Sequence, residues 1–259
     1  MNWTTLQLEI NQEQATLWLN RPHCGNTLSV EMINELRKAL QHLEDETEVK
    51  VVFLAGRGPH FCKGVDLEDF SPDGIPDIHG FNRWEKICRT LERLPAVTIA
   101  VLDGEVAGGG LQLALACDIR VATTRAWFHL HDVRMGIIPG MGTYRLGKFI
   151  GLGRARRMAL TGRHMDATEA EHTGLIDHLA DVDALWAKAD EAVAEFGPIH
   201  PDAVMLIRRL MDESYENSWE DFLGNFLAAQ DRAIRSAEFR GTLQKAHGSS
   251  QDNPEDEDE

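Results

Sequence analysis

Apolar and polar residues alternate over residues 4–10 (TTLQLEI) and again over 15–21 (ATLWLNR), with NQEQ between them. Alternation at period two predicts a β-hairpin. After the loop RPHCGNTLS the period changes. Ile33, Leu36, Leu40 and Leu43 fall on one helical stripe behind Ser29, a good N-cap, so a helix is predicted from Val30 to about Leu43. Residues 50–55 (KVVFLA) and 97–102 (VTIAVL) are apolar runs that suit buried strands. Between them come a polar loop reaching about Gly80 and a helix over 81–94, stopped before Pro95. DGEVAGGG then turns into an apolar helix, LQLALAC, and residues 118–122 (DIRVA) read as a further strand. Strand, strand, helix thus recurs over 4–43, 50–94 and 97–117, which predicts stacked ββα turns with sheets at an angle, of the α/β class. From about residue 153 the chain reads mostly helical, with 217–246 one long amphipathic stretch. The expected domains are a ββα core over 1–196, a helical region over 197–247 and a disordered acidic tail over 248–259.

Composition narrows the classes of partner. A chain of 259 residues with 43% hydrophobic content can bury one large core. Its formal net charge is -16, and setting aside the six acids of the tail QDNPEDEDE leaves the body at about -10. That balance argues against nucleic acid and anionic membranes as partners. Cys24, Cys62, Cys88 and Cys117 form no C-x-x-C pair, so free thiols in a reducing cytoplasm are expected rather than a disulfide framework or a zinc knuckle. The N-terminal MNWTTLQLEINQEQ lacks the basic and apolar regions of a signal peptide, and no apolar run is long enough to cross a bilayer.

Two glycine-bearing turns follow strands, FCKGVD at 61–66 and EVAGGG at 105–110. Backbone N–H groups at such turns can be approached closely, and two of them from two turns can hold one developing oxyanion. The plainer reading is that Gly108, Gly109 and Gly110 only allow tight strand–helix packing.

Five blocks, NRPHCGNTLSVEM, FCKGVDLEDF, AVLDGEVAGGGLQLALACDIRVA, MGIIPGMGTYRL and ALTGRHMDATEAEHTGLIDHL, occur in order over residues 15–180. In this order and spacing they resemble the crotonase, or enoyl-CoA hydratase/isomerase, superfamily. The resemblance implies a crotonase-like stacked ββα superhelix with a C-terminal helical region, acting on an acyl-CoA thioester. It implies that the N–H groups of Val65 and Gly109 grip the thioester carbonyl, and that His23, Cys24, Gly25, Lys63 and Leu67 line the pantetheine and adenine of coenzyme A. For Lys63, where small residues are usual in the family, a phosphate contact and a plain solvated lysine are both open. No tightly bound cofactor is implied; coenzyme A, or the phosphopantetheine of an acyl carrier protein, arrives with the substrate. The family forms trimers, often paired into hexamers, whose C-terminal helices cover a neighbour's site. Trp219, Phe222, Phe226 and Ile234 give this chain an apolar stripe that suits such a contact or packing within the chain. The stretch 68–80 matches a region that varies with substrate size, and its polarity and two prolines suggest a mobile rim.

The chain departs from the family where hydratases carry two glutamates. The first position is Gln112, which cannot ionise, and the second aligns with Asp132, a carboxylate on a shorter arm. One carboxylate suits a proton shuttle, so hydration or double-bond isomerisation of an enoyl thioester is expected, with Gln112 assisting by hydrogen bonding. A decarboxylase or C–C lyase is the second reading, since PGMG resembles the family's decarboxylases of polyketide β-branching. A non-catalytic member that kept the fold is the third. For Asp132 the alternative role is an ion pair with Arg134 that braces a loop. His129 and His131 suit acid–base work, and if the chain is extended there their rings are expected on opposite faces, so that at most one faces the pocket. As a metal pair they lack a third ligand in the sequence, so no metal site is expected. Tyr144 and Glu68 are polar residues near the same blocks.

Overall fold

The computed structural model describes residues 3–70 and 78–248. β1 (Leu6–Asn11) and β2 (Gln14–Leu19) form the expected antiparallel hairpin, with Leu6 opposite Leu19. After a 3-10 turn at Pro22–Cys24, α1 (Val30–Asp45) begins where Ser29 Oγ accepts the Met32 N–H. The helix buries Met32, Ile33, Leu36, Ala39, Leu40 and Leu43 on one face. Glu35, also buried, is a conspicuous exception. Burial works against its charge, yet N–H and hydroxyl donors of Thr4 and Thr5 hold its carboxyl below the usual range and tie α1 to the start of the hairpin.

Strands that are apolar on both faces take the centre of the sheet. β3 (Val51–Gly56) and β4 (Val97–Leu102) are buried almost throughout, whereas the second half of β1 is exposed. α2 (Leu67–Phe70) and α3 (Ile78–Leu91) lie between β3 and β4 in sequence. Next come β5 (Glu105–Ala107), α4 (Gly109–Leu115), β6 (Ile119–Thr123) and β7 (Trp127–His129). Then follow α5 (Gly142–Ile150), α6 (Leu152–Thr161), β8 (Met165–Asp166), α7 (Ala167–Thr173), β9 (His178–Ala180) and α8 (Leu185–Ala194). The larger sheet has the order β1-β2-β3-β4-β6-β9, parallel except for β1, and a smaller one has the order β5-β7-β8. Arg120, buried at the β6–β9 junction, pairs with Asp177 at 2.7 Å and donates to the carbonyls of Leu175 and Cys117.

The expected ββα period is incomplete in its second turn. Its second strand is reduced to isolated bridges, Leu28 with Val65 and Cys62 with Val106, because the glycine-bearing segment leaves the strand after one residue on each side.

The chain divides into two compact units, Met1–Ile199 and His200–Glu259. In the second are α9 (Pro201–Glu213), α10 (Trp219–Ile234) and α11 (Ala237–Gly248). The single stretch expected over 217–246 is therefore two helices. Ser236 breaks it, its hydroxyl capping α11 by accepting the Phe239 N–H. On α10, Trp219, Phe226 and Ile234 are exposed. The acidic tail from residue 249 onward and residues 71–77 of the expected rim lie outside the described residues. Among the described residues, no helix is long and apolar enough to cross a membrane.

Candidate active site

The segment after β3 is laid against β5. Phe61 N–H donates to the Asp103 carbonyl, Cys62 N–H to Glu105, and Ala107 N–H back to Cys62. Both chains then turn at a glycine with positive φ, Gly64 at 98° and Gly108 at 49°. Only glycine adopts these conformations without strain. The two turns touch: a Cβ on Gly64 would lie 3.3 Å from the Ala107 carbonyl oxygen and 3.6 Å from the Gly108 Cα.

Several flanking donors are taken. Leu28 N–H donates to Gly64 O, Asp66 N–H to Leu28 O, and Gly108 N–H to His129 O. Among the described residues, the N–H groups of Val65 and Gly109 donate to no protein acceptor. Both are thus unpaired donors one residue past touching turns. The packing reading of the glycines also applies, at different positions: a Cβ on Gly109 would come within 2.6 Å of Leu28 Cδ1, and one on Gly110 within 2.6 Å of both Cys62 Cβ and its carbonyl oxygen.

The loop at His23–Gly25, expected to line coenzyme A, packs beside this pair, with Lys63 N–H donating to the Gly25 carbonyl. Gly25 and Asn26 both have positive φ. Asn26, fully buried, accepts the Arg21 N–H and donates to the carbonyls of Arg57 and His60, which fixes the loop's shape. Sequence reasoning passed over Asn26; the Gly-Asn pair itself is a signal, since Asn tolerates the left-handed region. Lys63 lies across Gly25, so close that a Cβ there would meet its Cδ at 2.5 Å. Its ammonium, partly exposed, is 3.4 Å from Glu105 Oε2, so it is neither simply solvated nor free of a counter-charge. His23 is exposed, and the Cys24 thiol accepts from the Thr27 hydroxyl. Leu67 opens α2, with its side chain outside the described part of the structure.

Gln112 is buried one turn into α4. Its amide lies under the PGMG turn, where a Cβ on Gly140 would fall 3.1 Å from Oε1, and that oxygen is buried without a partner among the described residues. An unpaired buried amide oxygen is costly, so it marks a place where a donor is wanted. Asp132 begins a 3-10 turn, Asp132–Met135. The ion pair with Arg134 does not form: Arg134 donates to the Thr161 carbonyl instead. Burial raises the Asp132 pKa, opposed by its own N–H and by His131. Tyr144 is exposed under Lys148, and Glu68 is exposed beside an acidic cleft with Glu31, Asp66 and Asp69.

The helix α5 that follows the PGMG turn is held by a buried cation that sequence reasoning also missed. Arg145 pairs with Glu85 at 2.8 Å and with Glu92 at 2.6 Å, and Glu85 also accepts the Met141 N–H. The two carboxylates outweigh the cost of burial and raise the guanidinium's pKa.

The expectation that His129 and His131 point to opposite faces is overturned, and period alone is reason enough, since residues two apart share one face of a strand. β7 ends at His129, Leu130 is buried, and His131 has already turned helical with φ -86° and ψ -4°. The rings of 129 and 131 stand together, 3.7 Å between centroids, and His164 joins them.

With this geometry in hand, comparison with known proteins is direct. The enoyl-CoA hydratase/isomerase family profile matches residues 9–245. The Bacillus subtilis protein YngF is 34% identical over 239 residues, 90% of this chain and 91% of that one. Human mitochondrial methylglutaconyl-CoA hydratase is 34% identical over 215 residues, 80% of this chain and 63% of that protein. The crystal structure of an enoyl-CoA hydratase from Bacillus anthracis superposes with a TM-score of 0.86 at 30% identity, covering 95% of this chain and 97% of that one. The chain belongs to the enoyl-CoA hydratase/isomerase family, within the crotonase superfamily.

Proposed function

We propose that the protein hydrates or isomerises an enoyl thioester, with the thioester oxygen held by the N–H groups of Val65 and Gly109 and with one carboxylate, Asp132, as the proton shuttle. The observation that carries this reading is the contact between the Gly64 and Gly108 turns, each followed by an unpaired donor. One such donor is worth about 2.7–4 kcal/mol to a developing oxyanion. In hydration, ionised Asp132 takes a proton from water as its oxygen adds to C3, and returns that proton to C2 of the enolate. In isomerisation, it takes the C2 proton and delivers it to C4. Gln112, with its unpaired buried oxygen, accepts a hydrogen bond from the substrate or from the attacking water. His23, Cys24, Gly25, Lys63 and Leu67 line the path of coenzyme A or a carrier-bound phosphopantetheine. The exposed apolar residues of α10 support assembly as a homotrimer or hexamer, and four free cysteines support a reducing compartment such as the cytoplasm.

The test is mass spectrometry of 2-enoyl-, 3-enoyl- and malonyl-type CoA thioesters incubated with the protein in heavy water. Added water supports hydration, and deuterium gained with a moved double bond supports isomerisation. Loss of carbon dioxide would replace the reading with a decarboxylase. Asp132→Asn should bind the thioester and lose turnover; unchanged turnover would remove Asp132 from the mechanism.

A further inference from the structure

We propose that His129, His131 and His164 form a binding site for a divalent transition-metal ion of the zinc class, with Glu105 as its outer carboxylate. The donor atoms of the three rings lie within 4.8 Å of one another. His131 Nε2 and His164 Nε2 face each other at 3.0 Å. Two neutral imidazoles share at most one proton in that arrangement, and a cation between them would be bound by both lone pairs.

His129 is the more telling member. Its Nε2 lies 3.0 Å from Glu105 Oε1. A carboxylate accepts only, so Nε2 carries the hydrogen and Nδ1 holds the lone pair. That Nδ1 is buried and has no partner among the described residues. A ring nitrogen left bare inside the protein, while the other donates to a carboxylate, is the arrangement of a metal-bound histidine with its supporting acid. Glu105 is itself braced by Lys63, and its backbone N–H donates to His60 Nδ1.

Three imidazoles suit zinc, cobalt, nickel or copper, and not the oxygen-seeking magnesium or calcium. At metal–nitrogen distances of about 2.0–2.1 Å in a tetrahedron, the nitrogens must stand about 3.3 Å apart. The widest pair therefore has to close. With His131 and His164 already 3.0 Å apart, that pair includes His129, which is held by Glu105, so the exposed His164 and half-buried His131 are the rings that turn toward it. The exposed side leaves the fourth position to water. The rival explanation is aromatic packing alone, since Trp127 stacks on His129 at 4.8 Å and on His164 at 4.5 Å.

Full-length protein stripped with a chelator is titrated with Co²⁺ and Zn²⁺, followed by calorimetry and, for Co²⁺, by visible absorption. The expected result is saturation at one ion per chain with a low-symmetry d–d band. His164→Ala should lose the band and at least tenfold in affinity. Glu105→Gln should keep the band and bind about 10–100-fold more weakly. Absence of saturable binding, or equal affinity and stoichiometry in His164→Ala, would overturn the site. His131→Gln repeats the test from the second ligand, should His164→Ala be poorly folded.

Discussion

Arg145 allows a magnitude to be worked from the structure. Its guanidinium is 8% exposed and bridges two carboxylates, Glu85 and Glu92, which are 23% and 21% exposed. Arg145→Ala removes the cation and leaves both acids facing an unfilled space. Breaking a buried pair by deleting one partner costs about 3–5 kcal/mol. The low end applies here, because each acid keeps some water and one other donor, Met141 N–H for Glu85 and Arg89 for Glu92. About 3 kcal/mol corresponds to a fall of about 6–12 °C in Tm for a chain of this size. Arg145→Lys retains charge but cannot reach both acids in the same fork, so its loss should lie between that of Ala and none. Urea and thermal melts of wild type, both variants, Glu85→Gln and the double variant Arg145→Ala/Glu85→Gln supply the cycle. A coupling energy below about 1 kcal/mol, the range of exposed ion pairs, would refute the claim that this bridge anchors α5 beneath the site.

Asp132 carries a second prediction, in pH. Its folded pKa is raised, so between the ordinary aspartate value of about 3.9 and that raised value the native state binds more protons than the unfolded state, and stability falls as pH rises. Asp132→Asn should therefore melt above wild type at neutral pH, with the gap closing below that window; an Asn variant that is less stable at pH 7 would contradict it. The wild-type kcat/KM should fall on the acid side at a pH above the ordinary aspartate range, and an acid limb at or below about 3.9 would deny Asp132 the role of base. Gly110→Ala should cost about 1–3 kcal/mol in a denaturant melt, since the new methyl meets Cys62 Cβ and backbone oxygen at 2.6 Å; a neutral result would mean that the strand–helix contact yields more readily than its geometry suggests.

Features that depend on near neighbours in the chain were legible before any coordinates. The hairpin, the Ser29 cap and the buried runs of β3 and β4 follow from period and local chemistry, and they stand where they were expected. The glycine turns were legible because a positive φ has a local cost that only glycine avoids. Features that need distant partners were not. Arg145 finds its acids 53 and 60 residues away, and His164 meets His131 across 33 residues; no spacing rule reaches that far. The error over His129 and His131 has a different source. Side chains change face at every residue of a strand, so residues two apart share a face, and the expectation of opposite faces miscounted that period. A helical stripe over 217–246 was real, but a single serine that competes for the backbone was enough to divide it.

Glu105 ties these separate layers together. One side chain reaches Lys63, expected to line coenzyme A, and His129 at the end of β7, while its backbone pairs with Cys62 and His60. The carbonyl of that same His129 accepts the Gly108 N–H, while the next donor, the Gly109 N–H, has no protein acceptor among the described residues. Glu105, with no place in the proposed proton transfer, thus ties Lys63 to the histidine that engages the second glycine turn. In the proposed oxyanion site the glycines of the two turns are one half, the half that gives the backbone its shape. Its other half is the set of partners that engage the N–H groups of Leu28, Asp66 and Gly108 and leave those of Val65 and Gly109 unpaired.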